Sequence, residues 1–126
     1  MAWLAVGIGG ALGSLARHAV NMFFGHVLES SVPYATAAVN LVGSFVIGLL
    51  AGLIAHATIA MSANVRTFVF VGLLGGFTTF SSFALDTLTL SQGGQLSIAF
   101  WNVTVQVVLG LAAVYAGYSL GLGHVA

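Results

Sequence analysis

Cysteine is absent and proline occurs once. No disulfide, thiolate metal site or thiol nucleophile is therefore open to this chain. Charge is nearly absent as well: of 126 residues, two are Lys or Arg and two are Asp or Glu, 3% in all. A soluble domain carries about 25% charged residues. Arg17, Glu29, Arg66 and Asp86 are too few to cover the surface of a water-soluble protein this small. An ordinary cytosolic enzyme is excluded on that ground, as are a nucleic-acid binder with a basic patch and a disordered tail. Net charge is zero, so the field of the whole protein will not steer a partner. What is present is apolar: 60% of the residues are hydrophobic and 17 are glycine. The solvent that suits such a chain is a bilayer, and its glycines point to closely packed helices.

A membrane helix needs about 20 mostly apolar residues. Residues 30–65, 67–85 and 87–126 carry no charge. Polar, turn-prone clusters divide the chain: His26 to Pro33 (HVLESSVP), the weaker Ala57 to Asn64 (ATIAMSAN), and Ser91 to Gln95 (SQGGQ). The pattern predicts a single all-α transmembrane domain of four helices, about 2–25, 33–56, 66–90 and 96–122. The apolar runs are continuous and do not alternate, which argues against a β-barrel. No positive charge precedes the first run, and that run continues past Arg17, so it does not read as a signal peptide.

Orientation normally follows an excess of Lys and Arg on the cytoplasmic side. Here Arg66 stands on one side and, if it lies toward the far end of the first helix, Arg17 on the other, with no lysine. Charge alone leaves two readings open: hydropathy or a partner sets the orientation, or the chain inserts both ways and pairs with its inverted copy. Glycines four apart occur in every span: Gly9/Gly13, Gly48/Gly52, Gly72/Gly76 and Gly117/Gly121. That spacing lets helix backbones approach closely in lipid. Packing within the bundle accounts for most such pairs, and pairing between copies is the functional alternative. Four helices of this length enclose little, so a polar pathway calls for a second subunit.

Polar groups inside spans are expensive and need a partner or a function. The densest cluster lies in the third segment: Gly75-Gly76-Phe77-Thr78-Thr79-Phe80-Ser81-Ser82-Phe83. Two glycines and four hydroxyl residues form helix poorly, and Thr and Ser side chains compete with the helical ladder. The segment is expected to break at mid-membrane, which lipid tolerates only where the backbone is buried in protein or lines water. The alternative is a continuous helix whose hydroxyls bond the carbonyls one turn back. Freed carbonyls at a break coordinate cations, and a new helix N-terminus favours anions.

Phe80 and Phe83 share a face there. They are lipid-facing or core rings, or rings whose positive edges border a pathway. Asn40 either bonds a neighbouring helix or donates to an anion, and Thr36 lies one turn earlier on its face. Asp86 ends a polar track or caps the helix, and Glu29 reads as a loop charge at the interface. Asn102 and Gln106 are four apart and make one polar face of the last segment, which also carries Thr104 and Tyr115. Arg17 snorkels to the headgroups or raises the potential at an aqueous mouth. His18, His26, His56 and His124 fall near span ends with no helix-face metal spacing. No histidine or carboxylate lies within one turn of Thr78 or Thr79, so no nucleophile–base pair is legible.

These residues bear a resemblance. The run GGFTTFSSF, Asn40 in Asn-Leu-Val-Gly, and the stretch Gly9 to Arg17 (GGALGSLAR) look like the Fluc (CrcB) fluoride channels, over essentially the whole chain. The resemblance implies a dual-topology, antiparallel homodimer in the bacterial inner (plasma) membrane. It implies two pores that passively export fluoride from the cytoplasm, and no enzymatic activity. It assigns Phe80 and Phe83 to the pore lining, Asn40 to the pore asparagine, and Thr36, Ser81, Ser82 and Asp86 to a polar track. Arg17 matches an arginine near the vestibule. The backbone carbonyls of Gly75 and Thr78, two from each subunit, match those that hold a central structural sodium ion. The last helix departs from the family: Gly110 and Val114 stand where relatives place hydroxyls, leaving Asn102 and Thr104 as weaker pore candidates. Neutral amide, hydroxyl and ring-edge donors suit a small, strongly hydrated anion.

The main alternative is a proton-coupled small multidrug exporter with four helices. It needs a carboxylate at mid-membrane, whereas Asp86 lies toward the end of its helix. Loss of proton-coupled drug efflux in Asp86→Asn would favour it. A packing subunit without a pore predicts no ion flux at all.

Overall fold

The computed structural model describes residues 1–28 and 32–123, and the side chains of residues 26–28 are not considered. Glu29 and His124 lie outside the described residues. The chain is helical throughout, without strand among the described residues. We label the helices α1 (Ala2–Leu28), α2 (Tyr34–Ala55), α3 (63–77), α4 (Phe80–Gln92) and α5 (Leu96–Gly121). Tyr34–Ala55, Ala63–Gln92 and Leu96–Gly121, of 22, 30 and 26 residues, are each long and apolar enough to cross a membrane. The first helix runs on to Leu28, so the polar connection expected from His26 begins later.

Local chemistry sets the ends. Ser62 accepts a hydrogen bond from the Val65 N–H at 3.3 Å and starts α3. Gly94, at φ +77°, turns the chain between α4 and α5. Two stretches widen into π-helix, Thr67–Leu74 and Val105–Leu109. Neither was legible in the sequence, and such turns recur at functional sites.

Packing follows the glycines. α1 lies along α3, α2 lies along the later part of α5, and α4 packs on the start of α5. A Cβ at Gly9 would stand 2.6 Å from the Phe68 carbonyl oxygen, and one at Gly13 would overlap that of Leu73. From the other side, a Cβ at Gly76 would come within 2.7 Å of the Gly10 carbonyl. Gly48 and Gly52 meet the backbone of Val114 and Tyr118, while Gly117 and Gly121 meet that of Phe45 and Leu49. The paired glycines thus serve contacts within the chain. Among the described residues, the buried apolar side chains are only Val39, Leu74, Phe83, Leu90 and Ala99. Large apolar groups such as Trp3, Leu12, Phe100 and Leu111 face outward, the inversion that lipid demands.

Candidate functional site

The third apolar segment is interrupted between α3 and α4. Thr78 (φ −85°, ψ 161°) and Thr79 (φ −155°, ψ 119°) are extended. The break therefore falls on the threonines, and Gly75–Phe77 remains helical. The Thr78 hydroxyl donates back to the Leu74 carbonyl at 2.9 Å and closes the first half. The Thr79 hydroxyl accepts the Ser82 N–H at 3.2 Å, capping the second. It also donates to Ser82 Oγ at 3.1 Å and lies 3.4 Å from Ser81 Oγ.

Asn40 braces the break from α2. The Thr79 N–H donates to Asn40 Oδ1 at 2.8 Å, and Asn40 Nδ2 donates to the Thr79 carbonyl at 2.9 Å. The amide does for Thr79 what a neighbouring strand would do. Nδ2 donates again, to Gln106 Oε1 at 2.7 Å, so both amide hydrogens have acceptors within the chain. The series continues through buried Gln106, whose Nε2 donates to Asn102 Oδ1 at 2.7 Å. Asn102 Nδ2 donates to Thr87 Oγ1 at 3.0 Å, and Thr87 Oγ1 donates to the Phe83 carbonyl at 2.9 Å. Every group in this row is oriented by the one before it.

The carbonyls of Gly75 and Thr78 are among those that lose their helical partners here. The Thr79 N–H, four residues beyond Gly75, goes to Asn40. The Ser82 N–H, four beyond Thr78, goes to the Thr79 hydroxyl. Carbonyls released by an unwound segment are oxygen ligands of the kind that hold sodium, so the donor chemistry of Gly75 and Thr78 fits the ion the resemblance implies. The Thr78 carbonyl already draws a cationic group, Arg17 Nη1, at 3.3 Å. No cluster of His, Cys, Asp or Glu suited to a metal occurs among the described residues.

A cleft of about 260 Å³ opens beside the break, lined by Asn40, Thr78, Thr79, Phe80, Phe83, Gln106 and Val107. The two rings stand 5.5 Å apart at 62°, edge toward face. They differ in setting: Phe83 is 8% exposed and Phe80 77%.

Of the residues singled out in the sequence, Asn40, Thr78, Phe80 and Phe83 meet at this cleft. Ser81 and Ser82 adjoin it through Thr79. Arg17 reaches it only through the Thr78 carbonyl. Thr36 is buried one turn before Asn40, and Asp86 is half-buried on α4; neither lines the cleft. Thr104 does not line it either: its hydroxyl donates to the Phe100 carbonyl of its own helix at 2.9 Å. The last helix contributes Gln106 and Val107 instead. The i, i+4 spacing of Asn102 and Gln106 was a legible signal, but the bond from Gln106 to Asn40, 66 residues away, was not.

A family model described as CrcB-like protein, Camphor Resistance (CrcB), matches residues 4–118. A protein of Paracoccus denitrificans named Fluoride-specific ion channel FluC is 47% identical over 121 residues, covering 96% of this chain and 94% of its own length. Proteins of the same name from Agrobacterium fabrum (44% identical, 92% of each chain) and Parabacteroides distasonis (46% identical, 90% of this chain and 88% of its own) are similar in extent. These names describe ion channels, and lend nothing to the drug-exporter alternative.

Proposed function

The chain belongs to the CrcB family, and from that premise we propose that it is a fluoride-selective channel that lets the ion leave the cytoplasm down its gradient. The single observation that carries the route is the cleft at the helix break, whose lining of Asn40, Thr78, Thr79, Gln106, Val107 and two phenylalanine rings carries no charged side chain. Fluoride is small and holds water tightly, so a conduit must offer donors in place of that water. It must also let the ion go. Amide, hydroxyl and ring-edge donors meet both demands, because none is a full positive charge that would trap the anion.

The cleft of one protomer is open-sided, and Phe80 stands on its outer rim. We propose that a second copy, inserted head to tail, closes it, so that four-span protomers form an antiparallel homodimer with two pores. With two arginines and no lysine in the chain, there is no Lys and Arg excess to fix one orientation, which is consistent with insertion both ways. Such a dimer brings two sets of Gly75 and Thr78 carbonyls together about its axis. A sodium ion held there would neutralise the facing oxygens and tie the subunits together. Thr36, Ser81, Ser82 and Asp86 would extend a polar track beyond the rings, and Arg17 would lie near the vestibule. The surrounding apolar surface would face lipid in the bacterial inner membrane.

Purified protein in liposomes tests the function. It should release trapped fluoride far faster than chloride under the same gradient. Equal release of both ions, or release of neither, overturns the proposal.

A further inference from the structure

We infer that Gln106 is a positioning residue that acts through Asn40, an inference that rests on the channel reading above. The Asn40 amide has two hydrogens, and Thr79 takes one. The second points to Gln106 Oε1 at 2.7 Å, and both side chains line the cleft. An anion in that cleft meets this second N–H as a donor already held by a neutral acceptor. Without the acceptor, the hydrogen would stand bare in a poorly solvated wall. That is costly when the cleft is empty and over-strong toward an anion when it is filled. With it, the N–H passes from one acceptor to the other as the ion moves by, and neither state leaves it unpaired.

Gln106 is itself fixed. Its Nε2 donates to Asn102 Oδ1 at 2.7 Å, and the Asn102 amide is in turn held by Thr87. This row prevents Gln106 from flipping, since a reversed amide would set Nε2 against the Nδ2 of Asn40 and leave Asn102 Oδ1 facing an oxygen. The π-helical turn Val105–Leu109 carries Gln106 into this position. Asn40 is thus oriented from two sides, by the backbone of the break and by an amide whose own direction is set from α4.

The test uses Gln106→Glu and Gln106→Leu in the full-length protein. Glu at this position accepts the Asn40 hydrogen more strongly when ionised and repels an approaching anion. Fluoride flux through Gln106→Glu should therefore be suppressed about ten-fold at neutral pH and should recover as the carboxylate takes up a proton. The wild type, run in parallel, corrects for passage of the protonated acid. In Gln106→Leu, flux should fall about ten-fold, and the loss should vanish in an Asn40→Ala background, where the two effects are no longer additive. A flux through Gln106→Glu that tracks the wild type at every pH overturns the inference while leaving the channel reading intact.

A second readout needs no transport. In protein labelled with 15N-asparagine, the side-chain amide of Asn40 is identified by its loss in Asn40→Ala. One of its two protons should shift upfield and exchange faster in Gln106→Leu. An unchanged Asn40 amide signal overturns the inference even if the wild type carries no fluoride, an outcome that would by itself end the channel reading.

Discussion

Two seams hold this chain together by opposite means. Along α1 and α3, and along α2 and α5, paired glycines bring backbone against backbone. At the break, polar side chains fill the space and bond in a fixed order from Thr79 to Thr87. In lipid there is no hydrophobic drive between helices, so close packing and interhelical hydrogen bonds are the remaining sources of cohesion. The glycine seams have no spare volume. The amide seam leaves a cleft. The scaffold is rigid where it is apolar and has room where it is polar, which is the distribution a conduit requires.

The largest expected effect comes from adding volume to a glycine seam. Gly13→Leu places atoms where the Leu73 carbonyl lies and should cost about 3 kcal/mol. Size-exclusion chromatography in detergent should then find little folded protein. Gly75→Leu sharpens the contrast. A Cβ there meets only the Phe70 carbonyl, at 3.7 Å, so the protomer should fold. Any loss of assembly must then come from the partner's side of the axis. A Gly75→Leu protein that elutes as a normal dimer would count against the proposed central cation site.

Next comes the amide seam. Asn40→Leu removes three hydrogen bonds and strands both backbone groups of Thr79. It should destabilise the protein by about 2 kcal/mol in a thermal melt and reduce fluoride flux at least ten-fold, or about 1.4 kcal/mol. If Asn40→Leu melts like the wild type, the break is held by something other than this amide.

The rings come third. Phe83→Ile and Phe80→Ile should both lower fluoride flux with the dimer intact. The buried ring should also cost about 1 kcal/mol of stability, and the exposed one should cost nothing measurable in the isolated protomer. Undiminished flux in both variants would mean that the rings only pack.

The smallest effect is expected at Thr104. Its hydroxyl serves its own helix, so Thr104→Val should leave fluoride efflux within about two-fold of the wild type. A large loss there would shift the route toward the other face of α5.

Much of the fold was legible because the cues are local. Apolar runs of membrane length, Gly94 in its turn and the hydroxyl-rich run after Gly75 announce the helices, the hairpin and the break. The position of the break was legible to within a few residues only. Glycine suggests weakness at 75 and 76, yet the helix fails at Thr78 and Thr79, where two side chains supply their own caps. The cleft was half legible. Asn40, Phe80 and Phe83 advertise themselves as polar or aromatic groups near a break. Gln106 does so only through its spacing from Asn102, and the sequence favours Asn102 and Thr104 over it.

Composition and periodicity by themselves determined the solvent, the helical class and the weak point of the third segment, since each follows from the transfer energy or backbone preference of residues close in the chain. Which hydroxyls cap the break, which amide on the last helix meets Asn40, and which of two neighbouring rings is buried were decided by tertiary structure alone. Those outcomes depend on rotations about helix axes, altered by two π-helical turns, and on contacts between residues such as Asn40 and Gln106 that are 66 positions apart.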